Sequence, residues 1–198
     1  MKPFIENWKI TFSPIHFRQH MVGQSQFRVE VLDPAVQRRD EFSCESPELT
    51  EFLRTRARKE AKSRASACFV IVPLADPGRV AGFYTLSATT VAMETLPAEL
   101  VKKLPRYPRL PATLLGRLAR DLAFKGQGIG DLLMVDALKR AHENSSVIGA
   151  VAVVVDPKDD AAAKFYREFG FQLLEEKKMF LPMKAIPQEI GLEQKSET

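Results

Sequence analysis

One stretch, residues 114–131, constrains the fold more than any other: Leu-Leu-Gly-Arg-Leu-Ala-Arg-Asp-Leu-Ala-Phe-Lys-Gly-Gln-Gly-Ile-Gly-Asp. A strand-like run meets a basic, glycine-rich turn, and a helical pattern starts at Ile129. Gly126, Gly128 and Gly130 let backbone amides crowd together without Cβ clashes. The first amides of the following helix have no partner inside it, so several donors converge at its positive end. Such a turn is a seat for a pyrophosphate and points to a nucleotide-bearing cofactor. A turn with no ligand is the competing explanation of the same glycines. No Gly-Lys-Ser/Thr triplet follows, which excludes a Walker-type loop. The dinucleotide fingerprint also fails, because it needs Gly-x-Gly-x-x-Gly near a first strand and this turn lies past mid-chain.

The remaining elements surround that turn. Ser46-Pro47-Glu48 reads as a helix start, with Leu49, Phe52, Leu53 and Ala57 as its buried stripe. Ala67–Pro73 and Val80–Ala88 read as a hairpin across the turn residues Asp76-Pro77-Gly78. Four prolines between 97 and 111 mark a connecting excursion around a short helical segment, Glu99–Leu104. Thr113–Ala119 and Val147–Val155 are two further strands, joined by a helix over Ile129–Glu143 whose Ile129, Leu132, Leu133 and Ala137 face inward. The second of these strands is apolar throughout, as expected of one covered on both faces. Asp159–Phe169 is a short helix stopped by Gly170, and Phe171–Leu174 with Met179–Pro182 close the sheet. Helices and strands alternate in the second half, so the fold class is α/β or α+β with a mixed sheet.

A chain of 198 residues with 45% hydrophobic and 27% charged side chains suits one domain with a sizeable core. No apolar run approaches the roughly twenty residues that cross a bilayer, and no signal core opens the chain. The expected location is the cytoplasm, with Cys44 and Cys68 as reduced thiols and no metal-ligand spacing. The net charge of +4 suits an anionic partner. The basic run at 54–64 holds Arg54, Arg56, Arg58, Lys59, Lys62 and Arg64 against a single acidic residue. It reads either as a solvated helix face or as a phosphate-backbone contact.

Lys125-Gly126-Gln127-Gly128-Ile129-Gly130 resembles the Arg/Gln-x-x-Gly-x-Gly/Ala cofactor motif of the GCN5-related N-acetyltransferase (GNAT) superfamily, with Lys at the first position. Phe42-Ser-Cys-Glu-Ser-Pro-Glu-Leu-x-x-Phe-Leu, Gly82-Phe-Tyr-Thr-Leu-Ser-Ala, Leu115-Gly-Arg-Leu-Ala-Arg-Asp121 and Lys164-Phe-Tyr-Arg-Glu-Phe-Gly-Phe171 are similar to one branch of it. That branch is the bacterial toxins that acetylate the amino group of aminoacyl-tRNA. The likeness spans about Glu41 to Pro182, which sets an acetyltransferase domain at 41–186 between an extension of unassigned role (1–40) and a loose polar tail (187–198).

The resemblance implies a GNAT fold with splayed fourth and fifth strands and acetyl-CoA as co-substrate. Leu118, Ala119 and Arg120 would bond its pantetheine arm through their main chain. Lys125, Gly126, Gln127, Gly128, Ile129, Gly130 and Asp131 would hold its pyrophosphate. Tyr166 would be the general acid for the departing thiolate, since a phenol of ordinary pKa near 10 keeps its proton at neutral pH. From the residues alone, Tyr166 reads first as an aromatic packed beside Phe165 and Phe169, and only the resemblance turns that toward a proton donor. No carboxylate presents itself as a base, which suits an α-amino acceptor of pKa roughly 7.7–8.0 better than a lysine. His16, His20 and His142 lie off the expected site.

The implied partners are aminoacyl-tRNA, met by the basic run and by Arg117, and a small ribbon-helix-helix antitoxin. A homodimer stays open. The alternatives are an enzyme acting on a small amine or a protein N-terminus, and a non-catalytic acetyl-CoA-binding regulatory module.

Overall fold

The computed structural model describes residues 26–187. Seven strands form one mixed sheet in the order β1-β2-β3-β4-β5-β7-β6. The chain enters as β1 (Phe27–Val31), then forms α1 (Pro47–Glu51), a π-helical turn (Phe52–Arg56) and α2 (Ala57–Lys62). Strands β2 (Ala67–Pro73) and β3 (Gly82–Ala92) follow, then α3 (Ala98–Val101), β4 (Arg109–Arg120) and α4 (Ile129–Ser145). The remainder is β5 (Ala152–Val155), α5 (Asp160–Glu168), β6 (Gln172–Glu175) and β7 (Lys178–Pro182). All neighbours are antiparallel except β4 and β5, which the α4 crossover makes parallel.

Both faces of the sheet are covered. Ile129, Leu133, Met134, Ala137, Leu138 and Ala141 of α4 pack with Ile71, Tyr84, Leu115, Val153 and Val155. On the opposite face Phe42, Phe52, Leu53 and Ala57 meet Val70, Val72 and Phe83. A third cluster, around Leu96, Leu110 and Phe180, lies under the proline-rich excursion. Both cysteines are unpaired, and burial pushes the Cys68 thiol up to about 12. Among the described residues no helix is long and apolar enough to cross a membrane, and no three metal-ligating side chains cluster.

Several element boundaries differ from the sequence-based expectation, each for a physical reason. β1 lies inside the stretch assigned to an extension of unknown role, and it pairs with β2 from Phe27↔Pro73 to Val31↔Phe69. The strand expected over Val147–Val155 begins only at Ala152. The amides of Val147 and Ile148 bond back to the Asn144 carbonyl at 3.0 and 2.9 Å, so these two side chains stay on the helix-terminal turn, 80% and 75% exposed. β4 runs through Pro111 and begins at Arg109, longer than expected, because it follows β3 along its whole length. The helix after Ser46 is not continuous: Ala57 N bonds Phe52 O, five residues back, which makes the π turn.

Candidate active site

β4 is held on both sides only as far as Leu114, because its contact with β5 is limited to Thr113↔Val153 and Leu114↔Val154. Beyond that point β4 stays paired to β3 as far as Arg120↔Gly82, while its other edge loses its partner. Gly116 is an extra residue there, since Leu115 faces Leu86 and Arg117 faces Thr85. A bulge where two parallel strands part opens a wedge in the sheet.

The wedge leads into the glycine turn. After the short 3-10 turn Leu122–Phe124, Gly126 (φ 80°) and Gly128 (φ 71°) adopt the left-handed conformation that favours glycine. Gly128 is the N-cap of α4 and offers no capping side chain. Leu132 N is bonded to Gly128 O at 3.1 Å, which leaves the amides of Ile129 and Gly130 as donors at the head of a 17-residue helix. These amides, the left-handed glycines and the helix dipole fit a pyrophosphate. At Gly130 a Cβ would stand 3.8 Å from the Phe165 ring, so the glycine keeps this wall thin.

Two clefts flank the wedge. The narrow one, about 230 Å³, has Leu118, Ala119 and Arg120 on one wall and Cys44, Glu45 and Ser46 on the other, with Gly130, Lys158 and Phe165 between them. The larger one, about 730 Å³, includes Leu114, Gly116, Arg117 and Asp156 at the wedge. Its rim carries Glu48, Arg56, Glu94, Arg109, Glu175 and Lys178. Leu49 borders both clefts, which places their junction beside the β4 bulge. Arg120 bonds Glu45 at 2.5 Å across the narrow cleft. Burial opposes the charge on Glu45, but its backbone hydrogen bond and the Arg120 guanidinium outweigh this and hold the carboxyl below its ordinary range.

Tyr166 sits in α5, 8% exposed, with ring centroids 5.7 Å from Phe165 and 5.5 Å from Phe171. It lines neither cleft, but its neighbour Phe165 lines the narrow one. Burial alone pushes its phenol up to about 12, since no charge or hydrogen bond contributes. The proton therefore stays on through neutral and mildly alkaline pH. His142, in the last turn of α4, lines neither cleft, and His16 and His20 lie outside the described residues.

The structure sorts the basic residues into two groups. Arg54 spends its guanidinium on the Phe42 carbonyl, with Nε at 3.0 Å and a terminal nitrogen at 2.7 Å. Arg117 pairs with Glu60 at 3.3 Å and lies 3.8 Å over the Phe52 ring. Arg64 fills the left-handed position (φ 57°) just past α2 that usually takes glycine, and Ala65 N closes the cap on Glu60 O. Arg56, Arg58, Lys59 and Lys62 have no carboxylate partner among the described residues. Arg54→Ala should orphan a buried carbonyl and lower unfolding stability by roughly 1–3 kcal/mol in urea titrations, without changing affinity for a nucleic acid.

Asp121 escapes a reading by sequence pattern. Its carboxylate is 1% exposed and gathers three N–H donors from separate segments, two of them distant in sequence. The local signal is an Asp directly after a strand that caps the next turn.

Residues 35–171 match the family model described as Acetyltransferase (GNAT) family, and the chain belongs to that family. It is an acetyltransferase with acetyl-CoA as donor. The chain is 36% identical over 132 residues to a tRNA-acetylating toxin of Mycobacterium tuberculosis, covering 67% of this chain and 76% of that one. It is 29% identical to the probable toxin TacT of Sinorhizobium fredii, covering 85% and 98% respectively. AtaT complexed with acetyl-methionyl-tRNAfMet superposes with a TM-score of 0.76 at 28% identity, over 81% of this chain and 96% of that one. AtaTR bound with acetyl-CoA gives 0.71 at 28%, over 82% and 96%. A tyrosine-to-phenylalanine mutant of AtaT bound to the C-terminus of the antitoxin AtaR gives 0.68 at 25%, over 81% and 96%.

Proposed function

We propose that this protein is a toxin that transfers the acetyl group of acetyl-CoA to the α-amino group of aminoacyl-tRNA and so blocks translation. The observation that carries the reading is the position of Arg56. It lines the larger cleft and heads Arg58, Lys59 and Lys62, cations with no carboxylate partner among the described residues. A nucleic-acid end entering that cleft would have its phosphates on this helix face and its terminal amine at the wedge. A small amine would need no such track.

Acetyl-CoA supplies the acyl group as a thioester. The main chain of Leu118–Arg120 bonds its pantetheine arm, and Lys125–Asp131 hold its pyrophosphate. As the amine nitrogen bonds the thioester carbon and the C–S bond breaks, Tyr166 would give its phenolic proton to the departing sulfur, and the proton the new amide nitrogen sheds would restore the phenol. The acceptor nitrogen must arrive uncharged, which an α-amine of pKa roughly 7.7–8.0 manages without a strong base. The rate should rise with pH through that range. Tyr166, held near 12, keeps its proton throughout.

Arg54 and Arg117 hold the platform with their side chains and Arg64 closes α2 with its backbone, while Arg56, Arg58, Lys59 and Lys62 meet the tRNA. The antitoxin we assign is a small DNA-binding protein of ribbon-helix-helix type, and the site of action is the cytoplasm, where charged tRNA is found. The toxin names of the relatives and the AtaT complexes with acetyl-methionyl-tRNAfMet and with AtaR support a charged-tRNA substrate and an antitoxin partner.

Reversing Arg56 and Arg58 to Glu should weaken tRNA binding about ten-fold or more and leave acetyl-CoA affinity unchanged. With four phosphate contacts, wild-type affinity for tRNA should fall about 10²-fold between about 50 and about 200 mM salt. Filter binding across a salt series measures both. A flat response, or no change in the double variant, would favour a small-amine acceptor.

A further inference from the structure

The Leu115–Asp121 motif ends on a residue the proposed reaction does not use. The buried Asp121 carboxylate binds three groups. Its Oδ2 accepts from Ser43 N at 2.9 Å, and its Oδ1 accepts from Ala123 N at 2.9 Å and from Arg79 at 3.0 Å. Leu122 N donates back to Ser43 O at 2.8 Å, so both backbone groups of Ser43 are tied to the end of β4. The three residues after Ser43 are one wall of the narrow cleft, and the three before Asp121 are the opposite wall. The bond to Ala123 also caps the turn that leads into the glycines.

Arg79 is itself anchored. Its Nε is 3.8 Å from Glu41, which bonds Arg38 at 2.6 Å, and Arg38 bonds Asp76 at 2.7 Å. Its guanidinium also lies 5.5 Å from the centre of the Phe124 ring, on the 3-10 turn. A chain of charges thus runs from the β2–β3 turn to the floor between the two walls.

We propose that Asp121 is a positioning residue for acetyl-CoA, setting the spacing of the two cleft walls and the launch of the glycine turn through one carboxylate. This rests on the reading of the narrow cleft as the acetyl-CoA site. A carboxylate is required because three N–H donors converge on two oxygens. An asparagine would turn an NH₂ toward at least one of them.

The test is Asp121→Asn in the full chain, read by calorimetry with acetyl-CoA alone and by steady-state kinetics. The Kd for acetyl-CoA and its KM should rise together by about ten-fold, with kcat and the KM for charged tRNA within about two-fold of the parent. Amide exchange at Ser43 should speed up. Arg79→Gln keeps the two backbone bonds and should give the same selective pattern at about three-fold. It carries the test alone if Asp121→Asn does not fold.

Unchanged acetyl-CoA affinity in a folded variant of lower melting temperature would overturn the proposal, leaving Asp121 a purely structural residue. Equal losses in kcat and both KM values would overturn it too. Gly128→Glu separates the premises. If that variant loses acetyl-CoA binding while Asp121→Asn keeps it, only the positioning role fails. If Gly128→Glu also binds normally, the cleft itself has been misassigned.

Discussion

Tyr166→Phe is expected to lower acetyl transfer by about 10²–10⁴-fold, the usual contribution of a positioned general acid. The substitution removes one hydroxyl and keeps the ring that meets Phe165 and Phe171. The Tyr166 hydroxyl has no hydrogen-bond partner among the described residues, so the change orphans none of them. Melting temperature and acetyl-CoA affinity should therefore stay at parental values. Such a result would separate chemistry from packing, because a residue that only fills space between α5 and the sheet loses almost nothing on becoming Phe. In a host lacking antitoxin, the parent should arrest growth and the variant should not. Near-parental turnover would move the proton donor to another residue.

Gly128→Glu should have an effect of similar size on binding. The position has φ 71°, where a side chain costs about 1–3 kcal/mol of backbone strain. The new carboxylate would also stand at the head of α4, where the free amides are meant for an anion. Losing two charge-assisted hydrogen bonds corresponds to about 10²–10⁴-fold in acetyl-CoA affinity. Gly128→Ala carries the strain without the charge, so it should lose stability but keep most of the affinity. Calorimetry on both variants separates backbone geometry from electrostatics. Parental affinity in a folded Gly128→Glu protein would remove the pyrophosphate site.

The second half of the chain was readable from its sequence because its signals are local. The strand–turn–helix at 114–131 and the Gly170 stop are each written within a few residues, as is the Ser46 cap in the first half. What stayed hidden depends on distant partners. β1 has no pattern beyond five residues and exists because β2 offers it an edge. The π turn at Phe52–Arg56 leaves no mark in the hydrophobic spacing, yet Arg56 on its last position reaches the larger cleft. Charge runs were the least legible part. Arg54 and Arg56 are two residues apart and look equivalent in the sequence, but one holds the Phe42 carbonyl and the other lies against the Phe52 ring with no carboxylate partner among the described residues. The role of Asp121 likewise follows from Ser43 and Arg79, which lie 78 and 42 residues away.

The most direct measurement of the central claim is acetyl transfer itself. The purified protein is incubated with acetyl-labelled acetyl-CoA and bulk charged tRNA, beside uncharged tRNA and the free amino acids. The account predicts label on charged tRNA only, recovered as N-acetylaminoacyl ester after nuclease digestion and lost when the ester is hydrolysed beforehand. Label on free amino acids at a comparable rate, or none on charged tRNA while acetyl-CoA binds normally, would contradict it.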